Sequence, residues 1–211
     1  MGVFLDVGLT GGISCGKSAA LRLFARLECF TLDADAIYHK LIERGGPVYM
    51  KLVEHFGETI LDGRKRVDRV VLGEIVFNDP DALATLNAIA HPIVINEQER
   101  LKVEFRARHD GGIIVTDAAL MIEAGTYKRF DKIVVVTCNA ELQLQRLMRR
   151  AAIDEAAARK RIAAQMAVEE KLHYADYVIH NDDSIEALKH DVEEVYNYLF
   201  LDMKAKERGH V

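Results

Sequence analysis

The densest chemistry in the chain lies in eight consecutive residues, Gly11-Gly12-Ile13-Ser14-Cys15-Gly16-Lys17-Ser18. They satisfy every fixed position of G-x-x-x-x-G-K-[ST]. Glycine allows a tight turn and a close backbone approach that a Cβ would obstruct. Successive amide N–H groups then form a nest for phosphate oxygens, and the helix that follows adds its positive N-terminal end. In such a loop the Lys17 ammonium bridges the β- and γ-phosphates and the Ser18 hydroxyl ligates Mg²⁺. A glycine-rich turn can match this pattern by chance, so its context decides. Residues 3–10 form an apolar run, and Leu21, Phe24, Ala25 and Leu27 recur at helical spacing within 18–27. Strand, loop and helix in that order mark a phosphate site running from Gly11 to Ala19, with ATP and Mg²⁺ as the expected ligands.

Asp33-Ala34-Asp35 follows a second apolar run, residues 30–32. Transfer of a phosphoryl group to an alcohol benefits from a carboxylate that accepts the hydroxyl proton. Carboxylates at i and i+2 on a loop point in different directions. One of the pair can act as base while the other caps the next helix or supports Mg²⁺ through water, and spacing leaves the choice open. Asp117 ends the run 113–116, where an acid either meets the metal of a P-loop enzyme or simply starts a turn. Glu123 lies one helical turn further on, facing the same cleft. Arg146, Arg149, Arg150, Arg159, Lys160 and Arg161 form a basic cluster. Arg150 and Arg146 share a helix face at i, i+4 and are the candidates for closing over ATP and balancing charge on the transferred group. Most of the cluster reads as a solvated face. The eight histidines lack metal-ligand spacing, and residue logic alone gives His91 no role.

These residues need a scaffold. Runs at 3–10, 30–32, 113–116, 133–136 and 177–179 read as five short strands with helical patterns between them, which predicts a parallel α/β sheet. Residues 34–110 are amphipathic and helical, with Pro47, Pro80 and Pro92 near element starts, and form an insertion beside the sheet suited to a second substrate. Residues 140–175 are helical and rich in Arg, Glu and Ala. The stripe Ile185, Leu188, Val192, Val195 and Leu199 predicts a helix over 184–199 packed on the sheet, with Ser184 as N-cap. Residues after Asp202 are expected to fray.

Composition narrows the function. The formal net charge is −5, whereas a nucleic-acid binder carries a basic surplus. Three scattered cysteines, Cys15, Cys29 and Cys138, give no disulfide framework and fit a reducing compartment. The chain opens without a basic leader segment, and its longest apolar runs are far too short to span a membrane. These features predict a cytoplasmic protein. No N-K-x-D segment reads guanine, and the length leaves no room for a motor or transporter ATPase. A small-molecule kinase fits best. A kinase for another metabolite, or a nucleotide-binding regulator without transfer activity, shares the loop.

Several segments in order resemble the dephospho-CoA kinase family. Gly8-Leu9-Thr10-Gly11-Gly12-Ile13 leading to Gly16-Lys17-Ser18 is similar to its opening, and Asp33-Ala34-Asp35 to its D-x-D. Ala90-His91-Pro92 resembles its H-P segment, and Ala119-Leu120-Met121-Ile122-Glu123 its P-L-L-x-E stretch. Gln145-Arg146-Leu147-Met148 with Arg150, then Arg161-Ile162 and Gln165-Met166, resemble its lid. Glu170-Lys171-Leu172, then Ala175-Asp176-Tyr177-Val178-Ile179 and Asn181, resemble its closing segment. The resemblance implies transfer of the ATP γ-phosphate to the ribose 3′-hydroxyl of dephospho-CoA, giving CoA and ADP. It favours Asp35 over Asp33 as base and puts Asn181 near adenine. Asp33, His91, Asp117, Glu123 and Arg161 become acceptor-side residues. It also implies a P-loop NTPase core (1–33, 111–139 and 176–211) with a parallel five-stranded sheet, a helical substrate-binding insertion (34–110) and a helical lid (140–175); the oligomeric state stays open between a monomer and a weak oligomer. Three departures stand out. Ser14-Cys15 replaces a small, glycine-containing pair, so the loop torsion there is expected to suit a Cβ, and Cys15 is expected beside phosphate and open to oxidation. Ala118-Ala119 replaces Val-Pro, which predicts a looser turn. Ala151-Ala152 replaces an Asn/Asp-Gly turn.

Overall fold

The computed structural model describes residues 2–209. β1 (Phe4–Gly11), β2 (Phe30–Asp33), β3 (Gly112–Asp117), β4 (Lys132–Thr137) and β5 (Tyr177–His180) form one sheet in the order β2-β3-β1-β4-β5. The β1–β3, β1–β4 and β4–β5 pairs are parallel. Each strand coincides with an apolar run read from the sequence. Strand order reverses at β1, which has β3 on one side and β4 on the other. In open α/β sheets that switch point, at the carboxyl ends of the strands, is where ligands bind.

The nine α-helices among the described residues are α1 (Lys17–Arg26), α2 (Ala34–Leu41), α3 (Pro47–Phe56), α4 (Arg69–Asn78), α5 (Pro80–Arg106), α6 (Ala140–Ala151), α7 (Glu155–Ala163), α8 (Val168–Leu172) and α9 (Ile185–Glu207). The chain divides into two compact units, with breaks at Leu32/Asp33 and Glu104/Phe105.

The sheet-bearing unit buries both faces of the sheet. β4 illustrates why its sequence is continuously apolar. Val134 and Val136 join Leu21 and Phe24 of α1 and Val192 and Leu199 of α9 in one cluster. The alternate residues Ile133 and Val135 join Met121 and Ile122 in a second. Side chains alternate across a strand, so a strand covered on both faces must be apolar at every position. Ser184 caps α9 by accepting from the Ala187 N–H at 3.2 Å. Leu188, Val192, Val195 and Leu199 are buried as expected, but Ile185 is 57% exposed. It occupies the first helical position, ahead of the packed stripe. The helix also does not fray after Asp202. It runs to Glu207, because Met203 is buried and Lys206 Nζ reaches the Phe4 carbonyl at 3.2 Å and Asp131 at 2.6 Å.

The second unit has its own core of Ile42, Val48, Leu52, Ile60, Leu72 and Ala90. Pro47 opens α3, where a missing N–H costs nothing. Asp68 caps α4 by accepting from Val70 and Val71 N–H at 2.9 and 3.2 Å. Pro92 does not sit near an element start. It lies inside the 27-residue α5. Proline removes one helical hydrogen bond, and Leu86, Ile89, Ala90 and Ile93 on both sides of it pack on the core and carry the helix through. A short antiparallel bridge, Leu61 to Val67, was not foreseen. Asp62 closes it by accepting from Arg64 and Arg66 N–H, each at 2.9 Å.

Candidate active site

The loop between β1 and α1 is built by contacts that leave no room for larger residues. A Cβ on Gly11 would stand 2.0 Å from the Val136 carbonyl oxygen of β4, and one on Gly16 would stand 2.1 Å from Asn181 Nδ2. Gly16 is the N-cap of α1 with φ 100°, a torsion natural to glycine. Its carbonyl accepts from Ala19 and Ala20 N–H at 2.9 and 3.1 Å, which starts the helix directly behind the loop. Lys17 and Ser18 are the first two helical residues, Lys17 half-buried and Ser18 exposed.

A polar scaffold from the far side of β1 holds the loop. Asn181, just after β5, donates through Nδ2 to the Cys15 carbonyl at 2.8 Å. Gln143 of α6 donates through Nε2 to the Ile13 carbonyl at 3.0 Å. Arg146, one helical step further on the same helix, donates through Nη1 to the Asn181 carbonyl at 2.7 Å. Ile13 itself packs against Leu144, Leu147 and Ala158. The loop is thus clamped by polar and apolar contacts from α6 and α7. Arg146 and Asn181, both singled out in the sequence, meet here. Gln143 was not. Its signal is a polar residue on the buried face of α6, beside Leu144 and Leu147 and at i, i+3 from Arg146. Arg150 and Arg161 are exposed on α6 and α7.

Two expectations about the loop fail. Ser14 has φ 61°, so it adopts a left-handed torsion despite its Cβ, and its hydroxyl is buried without a hydrogen-bond partner. Cys15 does not expose its sulfur beside the phosphate site. It is fully buried, 2.9 Å from the sulfur of Cys138. The hydrogen bond with Cys138 and burial both raise the Cys15 thiol far above its ordinary value of 9.0.

Asp117 is the last residue of β3 and is buried. It pairs in register with Leu9, two residues before the loop begins, which places it at the same carboxyl edge of the sheet. The segment after it is a series of turns, not the helix supposed when Glu123 was placed one helical turn on. Its anchor is Lys171, which is completely buried. Lys171 Nζ donates to the Ala119 carbonyl at 2.8 Å and pairs with Glu123 Oε1 at 2.8 Å. Thr10 Oγ1, at the end of β1, donates to the same Ala119 carbonyl at 3.1 Å. The Ala118-Ala119 turn is therefore held by two donors where proline would have stiffened it.

In the other unit, Asp33 caps α2 by accepting from the Ala36 N–H at 2.9 Å. Asp35 is not on a loop. It stands exposed in the first turn of α2, and its carboxylate has no hydrogen-bond or ion-pair partner among the described residues. Capping thus falls to Asp33. His91 is half-buried within α5. No group of three or more His, Cys, Asp or Glu side chains suited to a metal occurs among the described residues.

A parallel sheet with its order reversing at β1, a glycine-built nest there and a lysine and a serine opening the next helix define a P-loop kinase. Known proteins sharpen this. The family profile described as dephospho-CoA kinase matches residues 5–187. The dephospho-CoA kinase of Aquifex aeolicus is 39% identical over 196 residues, 93% of this chain and 98% of that protein. That of Streptomyces avermitilis is 40% identical over 192 residues, 91% of this chain and 92% of its own length. Among solved structures, TT1252 from Thermus thermophilus superposes with a TM-score of 0.77 at 30% identity, covering 92% of this chain and 97% of that one. Dephospho-CoA kinase from Campylobacter jejuni gives 0.61 at 27%, covering 93% and 97%. The chain belongs to the dephospho-CoA kinase family. It is an enzyme of the kinase class that uses a nucleotide, and no helix among its described residues is long and apolar enough to cross a membrane.

Proposed function

We propose that the chain transfers the γ-phosphate of ATP to the ribose 3′-hydroxyl of dephospho-CoA, releasing CoA and ADP. The observation that carries this reading is the clamped loop 11–18, whose amides and Lys17 are organised for a triphosphate, in a chain of this family. Lys17 bridges the β- and γ-phosphates, the loop amides from Gly11 to Ala19 hold their oxygens, and Asn181 lies by the adenine. Arg150, assisted by Arg146, balances charge as it spreads over the transferred group. The Ser18 hydroxyl suits a metal that keeps most of its water and is completed by phosphates, so Mg²⁺ needs no carboxylate cluster, and none occurs among the described residues. When bound, Mg²⁺ neutralises phosphate charge. Asp35 accepts the proton of the attacking hydroxyl, a role supported by its carboxylate having no hydrogen-bond or ion-pair partner among the described residues. Asp33, His91, Asp117, Glu123 and Arg161 serve the acceptor, in a chain made of a P-loop core, a substrate-binding insertion (34–110) and a lid (140–175). We read the enzyme as a cytoplasmic monomer or weak oligomer without nucleic-acid partners.

Replacing Asp35 with Asn separates binding from chemistry. Asp35→Asn is expected to bind ATP with unchanged affinity by calorimetry and to lose about 10²–10⁴-fold in kcat, the usual reach of general base catalysis. An unchanged kcat would remove Asp35 from the role of base.

A further inference from the structure

Cys15 lies inside the phosphate-binding loop and Cys138 immediately follows β4, separated by 123 positions in sequence. Their sulfurs are nevertheless 2.9 Å apart. Both are free thiols. A disulfide bond needs about 2.05 Å, so a further approach of about 0.9 Å joins them. The pair sits where the loop is most tightly held. The Cys15 carbonyl accepts from Asn181 at 2.8 Å, and a Cβ on Gly12 would stand 2.7 Å from Cys15 Sγ. We propose that Cys15 and Cys138 form an oxidative modification site for small hydroperoxides, closing to a disulfide that displaces the loop and lowers ATP turnover.

Both halves of the reaction have a group suited to them. The hydrogen bond shared with Cys15 and then the Arg146 guanidinium hold the Cys138 thiol below its ordinary value, whereas the Cys15 thiol is raised. Cys138 is also the more accessible sulfur, 9% exposed against 0% for Cys15. The Cys138 thiolate attacks one peroxide oxygen. An S–O bond forms, the O–O bond breaks, and hydroxide, or alkoxide from an organic hydroperoxide, leaves. Cys15 sulfur then attacks the sulfenic sulfur. The S–S bond forms, the S–O bond breaks, and the departing hydroxide takes the Cys15 proton as water. The first leaving group takes up the proton that Cys138 released, so two electrons pass from the thiol pair to one hydroperoxide, and hydrogen peroxide becomes two waters or an organic hydroperoxide one water and one alcohol. Closing the gap drags the backbone of Cys15 against Asn181 and Gly12, on the order of 1 Å, and displacements of that size at a transferring centre cost about 10²-fold in rate. Cys29, the third thiol, is buried and has no sulfur neighbour among the described residues, so it has no partner with which to close a bridge.

The test uses the full chain treated with hydrogen peroxide, then assayed for ADP formation and mapped by peptide mass. The wild type is expected to lose about 2 Da as a Cys15–Cys138 cross-link, to fall at least about tenfold in turnover, and to recover both on adding dithiothreitol. Cys138→Ser should match the untreated wild type before and after peroxide, and Cys29→Ser should respond as the wild type does. If Cys138→Ser folds poorly, Cys138→Ala and the wild-type map carry the test. Absence of the cross-link, a cross-link without loss of turnover, or equal loss in Cys138→Ser would each overturn the proposal. The effect on turnover rests on the ATP reading of the loop, while the cross-link map does not. An untreated enzyme that fails to turn over ATP would count against that reading alone.

Discussion

Ser14 and Ala152 occupy left-handed backbone at φ 61° and 50°, and both stand where the family pattern carries glycine or a glycine turn. A Cβ in that region costs about 1–2 kcal/mol, less the extra chain entropy that glycine loses on folding. Ala152 is the cleaner test because it is exposed at the C-cap of α6. Ala152→Gly is expected to stabilise the fold by about 0.5–1 kcal/mol, read as a shifted urea midpoint. Ala156→Gly, in the exposed first turn of α7, should instead destabilise it by up to about 1 kcal/mol. Equal shifts of the same sign would contradict the torsional account. At the same scale, Lys17→Ala should abolish ATP turnover while leaving thermal unfolding unchanged, because the side chain has no packing role comparable to its charge. The sequence carried these positions as departures from a pattern. It did not carry their torsions, because φ at a non-glycine depends on what surrounds the loop. Around Ser14, Gln143 and Asn181 set that environment through contacts to Ile13 and Cys15 that span 130 and 166 positions.

Elements position the site through a few long-range polar contacts. Lys171 is the clearest case. A fully buried ammonium joins α8 to the Ala119 carbonyl and the Glu123 carboxylate, and through Ala119 to Thr10 at the foot of the phosphate loop. Removing one partner of a buried pair leaves the other desolvated and unpaired. Lys171→Met is therefore expected to lower stability by about 2–4 kcal/mol in denaturant unfolding. The double variant Lys171→Met/Glu123→Gln should lose less than the sum of the single changes. Strict additivity would mean that the two side chains do not act as a pair. All five strands and the helix following the phosphate loop were legible from apolar periodicity, since a sheet covered on both faces writes itself as continuous apolar runs. The turn segment after Asp117 was not legible. It is held by Lys171 from about 50 positions downstream, and no local pattern signals such a partner. Pro92 misled for a related reason, because packing on both sides of it overrides its tendency to end a helix.

At the scale of the whole molecule, the main apolar core and the phosphate loop share the sheet-bearing unit. Cys29 lies in its main core, where burial lifts its thiol from 9.0 to about 12. A group whose folded value is raised keeps its proton longer when folded, so its contribution is complete below about pH 9 and is lost as pH rises towards 12. Cys29→Ala should therefore show a shallower loss of stability between pH 9 and 12 than the wild type, measured by urea unfolding across that range. Parallel curves would show that Cys29 does not set the alkaline limit. The phosphate loop is part of the same cooperative structure, clamped by α6, α7 and the residue after β5. Function on this scale is the transfer of one phosphoryl group to one hydroxyl. The most direct measurement incubates the enzyme with ATP, Mg²⁺ and dephospho-CoA and follows the acceptor by phosphorus and proton NMR while ADP is counted. The account predicts one ADP per acceptor consumed and a new phosphomonoester on the ribose 3′-oxygen. ADP formed without any change in dephospho-CoA, or a phosphate appearing elsewhere on it, would contradict the account.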